Sequence, residues 1–398
     1  MLVLIRQICY SYNEVRSKKG NYHMANYILH FNASAEPSYP FWESGFVGKR
    51  LLNHENFLFE IGFGVIDAFI YYWNDEPVDS LNARLDAILG GLQRHDCLVI
   101  QWPFPGMNER WIQTFIDRVH SFNANAVFLV NDIQSMVNFP DLPDASDRSG
   151  VDKMLKDPNI QSEVKFFSQV EGLIVPSLQI SDRLTKELAL AGKQLTSNIT
   201  WLEPDGYEAN YFQGRRHRDQ GIDHFGTLSD AAFLLQFPQD IRVNVHSAAP
   251  DDEKLVGNKD IHLYPRVDVE AAPQLVEGSY GLVWHSEQYP NVTGIAGQMD
   301  KYVSPVELAL FLAANEPVII WSQAAAAKFV KENGLGIVID SLDQLPHKLA
   351  AIDDQAYDEK INNLQRISPL IRDGFFVKQA TLNVIGKIYN KMDHNRVD

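Results

Sequence analysis

The strongest constraint on this chain is a long alternation of apolar, β-branched runs with amphipathic stretches. The first series of runs is YILHF (27–31), IDAFIYYW (66–73), CLVIQW (97–102), AVFLVND (126–132), GLIVPS (172–177) and NITWL (198–202). Between them, SLNARLDAILGGLQ (80–93), NERWIQTFIDRVHSFN (108–123) and ISDRLTKELALAG (180–192) carry apolar residues at three- and four-residue spacing. Ser80 is placed to cap the first of these helices. Strands that are apolar throughout, separated by amphipathic helices, predict a parallel sheet covered on both faces, a Rossmann-like unit.

The polar stretch EPDGYEANYFQGRRHRDQG (203–221) interrupts the pattern and reads as a linker. A second series follows: IDHFG (222–226), DIRVNVH (240–246), IHLYP (261–265), YGLVWH (280–285), PVIIW (317–321) and GIVID (336–340). VELALFLAANEPVII (306–320) reads as a short, nearly all-apolar helix, a tight turn and a buried strand. DEKINNLQRISPLIRDG (358–374) and FFVKQATLNVIGKIYNKM (375–392) read as closing helices. The expected organisation is an N-terminal lobe over 24–205, a C-terminal lobe over 206–374, and a last helix over 375–398 with one apolar face. Residues 1–23 show no such alternation and are expected to lie outside the fold, either as a peripheral arm or as an artefact of a start called ahead of Met24.

Composition narrows the function. A formal charge of −16 opposes binding to phosphate backbones, which needs clustered Lys and Arg. Arg215, Arg216, His217 and Arg218 form one short basic run inside the expected linker. Cys9 and Cys97 are the only cysteines, giving neither a disulfide framework nor a metal-ligand spacing, and a reducing cytoplasmic setting fits. No apolar run is long enough to span a bilayer. No GxGxxG follows a strand, and no GxxxxGK[ST], HExxH, CxxC, GxSxG or strand-end DxD occurs.

Ligands of open α/β sheets sit beyond the carboxyl ends of the strands, against helix N-termini. Four places qualify. HFGTLSD (224–230) offers Gly226 for close backbone approach and Thr227, Leu228 and Ser229 at the start of a helix, although a plain capped turn has the same composition. Tyr264 and Arg266, at a strand end, suit a base and a phosphate, or simply the surface. SPVEL (304–308) begins a helix. The first lobe contributes NASAEP (32–37), WPFPGMN (102–108) and NDIQ (131–134), in which Asp132 is a candidate base or a structural cap.

RLDAILGGLQRHDCLVIQWPFP (84–105), YGLVWHSE (280–287), ELALFLAANEPVII (307–320), ENGLGIVID (332–340) and ISPLIRDGFF (367–376) stand in an order that resembles the glucosyltransferase 3-like family, bacterial enzymes that extend O-linked glycans on serine-rich adhesins, with hexosyl and galactofuranosyl transferases among its relatives. The resemblance runs from about Tyr27 to Tyr389. It implies a GT-B fold, α/β with two Rossmann-like lobes and a cleft between them, donor held mainly by the second lobe and acceptor by the first, and the last helix (375–398) crossing back to the first lobe. It also implies a nucleotide-sugar site at Gly226, Thr227, Leu228, Ser229, Tyr264, Arg266, Pro305, Val306, Glu307, Leu308, Ala309 and Leu310. The chain departs from that pattern in carrying acids at Asp230 and Glu307 where the family has cations, Asn315 for a glycine, and Tyr264-Pro265-Arg266 for Tyr-Arg-Pro.

The reading that results is a metal-independent glycosyltransferase with no cofactor. It would move a hexose, glucose or N-acetylglucosamine first, from a UDP-sugar to a glycan or glycoprotein acceptor. A homo-oligomer is left open. The rival reading is a catalytically degenerate GT-B partner subunit, which the acids at 230 and 307 favour; a dehydrogenase is disfavoured by the missing glycine fingerprint.

Overall fold

A computed structural model describes residues 24–32, 45–69, 76–212, 216–226, 231–246, 257–265 and 267–394. Strands form at all twelve expected places: β1 (Asn26–Asn32), β2 (Gly64–Phe69), β3 (Cys97–Trp102), β4 (Asn125–Val130), β5 (Gly172–Val175), β6 (Asn198–Trp201), β7 (Ile222–Phe225), β8 (Val243–His246), β9 (Ile261–Leu263), β10 (Tyr280–Val283), β11 (Val318–Trp321) and β12 (Gly336–Ile339). The helices that matter below are α1 (Gly45–Glu60), α2 (Val78–Leu89), α3 (Glu109–Ser121), α4 (Pro158–Phe167), α5 (Leu178–Leu190), α6 (Gly294–Met299), α7 (Val306–Ala313), α8 (Ala327–Glu332), α9 (Asp354–Arg372) and α10 (Phe375–His394). Among the described residues no helix is long and apolar enough to cross a membrane.

The strands make two six-stranded sheets, ordered β2-β1-β3-β4-β5-β6 and β12-β11-β10-β7-β8-β9, with every pairing parallel. Both orders reverse once. The reversal falls between β1 and β3 in the first sheet and between β7 and β10 in the second, and such switch points are where open α/β sheets bind ligands. The architecture is the two-lobed GT-B arrangement.

Period-two alternation sorts the first sheet's side chains. Leu98 and Ile100 of β3 pack with α2, α3, α4 and α5, whereas Cys97 and Val99 face the other way. On that second face lie α1 and the last helix, α10, through Phe57, Leu58, Val377, Val384, Ile385 and Ile388. The chain leaves the second lobe and closes the first with its final helix, as the resemblance implies, burying the apolar face that its spacing provides.

In the second lobe, α7 runs back along the sheet, so its N-terminus lies at the carboxyl ends of the strands. Phe311 seats it on β10 at Gly281, where a Cβ would come within 2.2 Å of the ring. Asn315, in the turn after α7, has φ +57, a left-handed conformation that asparagine tolerates and glycine adopts freely.

Two local expectations are corrected. The helix expected to start at Ser80 starts at Val78, capped by Pro77 without a side-chain hydrogen bond; proline's fixed φ begins the turn earlier than a serine cap would. The supposed linker is in part a packed junction. Arg216 is buried, donates to the carbonyls of Val276, Gly278 and Ala314, and pairs with buried Glu316 at 3.4 Å. Residues 1–23 and 70–73 of the IDAFIYYW run lie outside the described residues.

Truncation before Phe375 should therefore uncover Val99, Val127 and Ile174 and leave a chain that aggregates or melts early. Ile385→Ala alone should lower the unfolding free energy by about 2–5 kcal/mol in denaturant titrations; an unchanged midpoint for either variant contradicts this docking.

Candidate functional site between the two switch points

Helix α1 leaves the carboxyl end of the first sheet and meets the carboxyl end of the second. Phe46 packs edge-to-face on Phe225 at the end of β7, ring centroids 5.3 Å apart. Lys49, 3% exposed, reaches Glu270 of the second lobe at 2.7 Å. Arg50 donates to the carbonyl of Ser304 at 2.8 Å, one residue before the cap of α7, and forms an ion pair with Asp205 at 2.9 Å. The two switch points thus open toward one cleft, with α1 as the pillar between them.

Behind Arg50, polar groups run into the first sheet. His54 joins Asp205 at 2.9 Å through Nε2 and Gln101 of β3 at 3.1 Å through Nδ1. Gln101 donates to Glu55 at 3.2 Å, and Glu55 holds His30 of β1 at 2.8 Å. Burial would raise the Asp205 carboxyl, but the adjoining His54 and Arg50, with the Gly206 N–H, hold it down at about 2. His30, Glu55 and Gln101 line a small recess at the β1/β3 switch point. Sequence reasoning did not single out this group. Its one local signal is a histidine near the end of a strand, and its partners come from α1 and β3.

The expected base, Asp132, follows β4. Burial raises its carboxyl, opposed by the Ile133 N–H and by Arg50. Asn131 beside it donates to Gln101 at 3.3 Å and lines the crevice with Arg50 and Asp205. The loop 102–108 turns inward instead: Trp102, Phe104 and Met107 are core. Of 32–37, Asn32 ends β1 and the rest lies outside the described residues.

In the second lobe, Gly226 ends β7 with φ +144, a conformation that favours glycine. Thr227, Leu228, Ser229, Asp230 and Arg266 lie outside the described residues. Tyr264 is not isolated. One ring face stacks on His246, centroids 5.1 Å apart, and its hydroxyl receives a hydrogen bond from Arg242 at 3.2 Å.

Helix α7 starts as expected, yet only part of it can serve a ligand. Leu308, Ala309 and Leu310 are buried in the second core, and the Leu308 N–H bonds the Pro305 carbonyl at 3.2 Å. Pro305 has no N–H, so helix geometry leaves the donors of Val306 and Glu307. Ser304 adds a buried hydroxyl with no hydrogen-bond partner among the described residues, a group that a bound ligand would satisfy.

A cation stands at the neighbouring strand. His285 follows β10, across the switch point from Gly226, and Nδ1 lies 3.0 Å from Asp300. Burial alone would push its pKa down; the charge and hydrogen bond of Asp300, and more weakly Glu307, outweigh burial and hold it at about 9. His285 is therefore an imidazolium at neutral pH. Glu307 supports it rather than merely opposing an anion. Among the described residues no group of three or more His, Cys, Asp or Glu side chains is arranged to hold a metal.

Two Rossmann-like lobes facing each other across such a cleft define the GT-B class of glycosyltransferase. The descriptions "Glucosyltransferase 3-like, N-terminal domain" and "Glucosyltransferase 3-like, C-terminal domain" match residues 41–189 and 222–384. The chain belongs to the glucosyltransferase 3-like family. It is 22% identical to "Glucosyltransferase 3" of Streptococcus gordonii over 83% of this chain and 91% of that one. Its fold is similar to that of a sucrose-phosphate synthase from Thermosynechococcus elongatus (TM-score 0.57, 11% identity, covering 94% of this chain and all of that one). It is similar also to Anabaena Alr3699/HepE, solved in complex with UDP (TM-score 0.54, 11% identity, covering 92% and 100%).

The His285 assignment has a signed consequence. A pKa raised above the ordinary histidine value stabilises the fold fully below about pH 6.5, and that contribution is lost as pH rises through about 9. Unfolding free energy should fall over that window in wild type and less in His285→Gln; equal slopes contradict the assignment.

Proposed function

We propose that the protein transfers a hexose, glucose or N-acetylglucosamine first, from a UDP-sugar to a sugar-bearing acceptor. The observation that carries this is the convergence of both switch points on one cleft, spanned by Arg50 between Asp205 and Ser304. In this reading the diphosphate lies at the start of α7, against the N–H groups of Val306 and Glu307, the Ser304 hydroxyl and the His285 imidazolium. These groups meet negative charge as it develops on the leaving diphosphate, which is what preorganised donors do. Gly226, Thr227, Leu228 and Ser229 would be the glycine loop that meets the phosphates, with Tyr264 for the base and Arg266 for a phosphate. The domain closed by α10 would bind the acceptor.

Two groups in the first lobe suit proton removal from the acceptor hydroxyl. His30, held by Glu55, has the arrangement of an oriented imidazole whose protonated form a carboxylate stabilises. Asp132, raised by burial, is the other. Charge stabilisation by His285 and α7 makes a bound metal unnecessary to this scheme, so chelator should leave transfer intact. The acid at Glu307 favours a second reading, a GT-B-shaped partner subunit that binds a glycoprotein or another transferase without turnover.

Calorimetric titration with UDP and a panel of UDP-sugars, with hydrolysis followed in parallel, separates the two. Binding and turnover in the presence of chelator support the transferase; silence across the panel supports the partner subunit. Glu307→Lys should tighten UDP binding by about tenfold and steepen its salt dependence, whereas unchanged affinity removes the diphosphate from α7. His30→Ala or Asp132→Asn, whichever removes the base, should lower kcat by about 10²–10⁴ with UDP affinity retained.

A further inference from the structure

Away from the cleft, edge strand β6 and helix α10 enclose a groove of about 680 Å³, within the range of about 300–1,000 Å³ typical of ligand sites. It shares no lining residue with the crevice around Arg50 and Asp205. Its walls have two characters. Trp201, 49% exposed on the edge strand, and the edge-to-face pair Phe329 and Phe376, centroids 5.8 Å apart, give aromatic surface. Opposite chemistry comes from Glu203 and from the exposed amides Gln379 and Asn383, which stand four residues apart on one face of α10.

Glu203 is the informative member. Its Oε1 is buried and has no hydrogen-bond partner among the described residues, and burial, opposed by Lys328, pushes the carboxyl up to about 7. Glu203 lines the groove, so the rest of its carboxyl stands beside anything seated there and gains from a hydroxyl that reaches it. The groove's own charges nearly cancel, Glu203 against Lys387 on the lining and Lys328 near the carboxyl, so neither an anion nor a cation is favoured. A pyranose supplies both halves: a C–H face for Trp201, and a rim of hydroxyls for the carboxyl and the amides.

We propose that this groove binds a neutral oligosaccharide, a stretch of the acceptor glycan remote from the sugar at the transfer site. This rests on the glycosyl-transfer reading for its biological sense, while the binding itself stands apart from it. Aromatic stacking would hold the chain loosely, and Glu203 would read hydroxyl positions. Phe329 belongs to the second lobe, so a glycan seated there touches both lobes.

Ligand-observed NMR with oligomers of glucose, N-acetylglucosamine and galactose tests this, with UDP titrated alongside. At least one oligomer should saturate wild type at millimolar concentration. Trp201→Ala, and the fold-neutral Asn383→Ala and Glu203→Gln, should weaken it, the first by about tenfold or more, with UDP affinity unchanged. The proposal is overturned if no oligomer binds wild type, or if binding is indifferent to all three substitutions. It is also overturned if Trp201→Ala changes only the oligomeric state in sedimentation, which would make the groove a surface between copies. Oligosaccharide binding that persists in a protein unable to bind UDP would sink the donor assignment and leave the groove standing.

Discussion

Asp205 is the point on which the arrangement turns. It stands where the chain passes from one lobe to the other, 7% exposed, and collects Arg50 at 2.9 Å, His54 at 2.9 Å and the Gly206 N–H at 2.7 Å. A buried carboxylate is tolerated only when charge and hydrogen bonds replace its water, and here the replacements come from α1. The same Arg50 then reaches Ser304, so fixing Asp205 also fixes the distance between α1 and the start of α7. Lys49–Glu270 and Phe46–Phe225 reinforce that spacing. Losing Arg50 leaves Asp205 buried with one cationic partner fewer and releases the second lobe's helix.

From this junction the chemistry follows by position. Parallel sheets place strand ends and helix starts on one edge, and α1 sets the two edges face to face. Each contributes what the other lacks. In the proposed reaction the first lobe would supply the proton acceptor, His30 with Glu55 or Asp132, and the second the His285 imidazolium and helix N–H donors. Asp300 and Glu307, acids beside a site proposed for an anion, are reconciled by His285: their negative charge holds a cation beside that site.

The fold was legible because its information is local. A run such as CLVIQW alternates between two buried faces, and any such run must become a strand covered twice. The sites were legible only as strand ends and helix starts. Arg216 read as part of a basic linker because its partner Glu316 is a hundred positions away and its carbonyl acceptors leave no trace in sequence. His285 lay within a quoted motif, yet its charge depends on Asp300 across a turn. Arg50, Asp205 and Glu55 carried no signal at all, since pairing between positions far apart in the chain is set by tertiary geometry. Leu308 to Leu310 show the converse: chosen for their place at a helix start, they are core, and the backbone before them is what faces the cleft.

Amide hydrogen exchange with and without UDP tests the central claim most directly. If the diphosphate sits where the two switch points converge, UDP should slow exchange in the segment 304–308 and around 284–286, and steady α1 near Arg50 through the Ser304 contact. Protection confined to the first lobe, or to the groove along β6 and α10, would contradict the account.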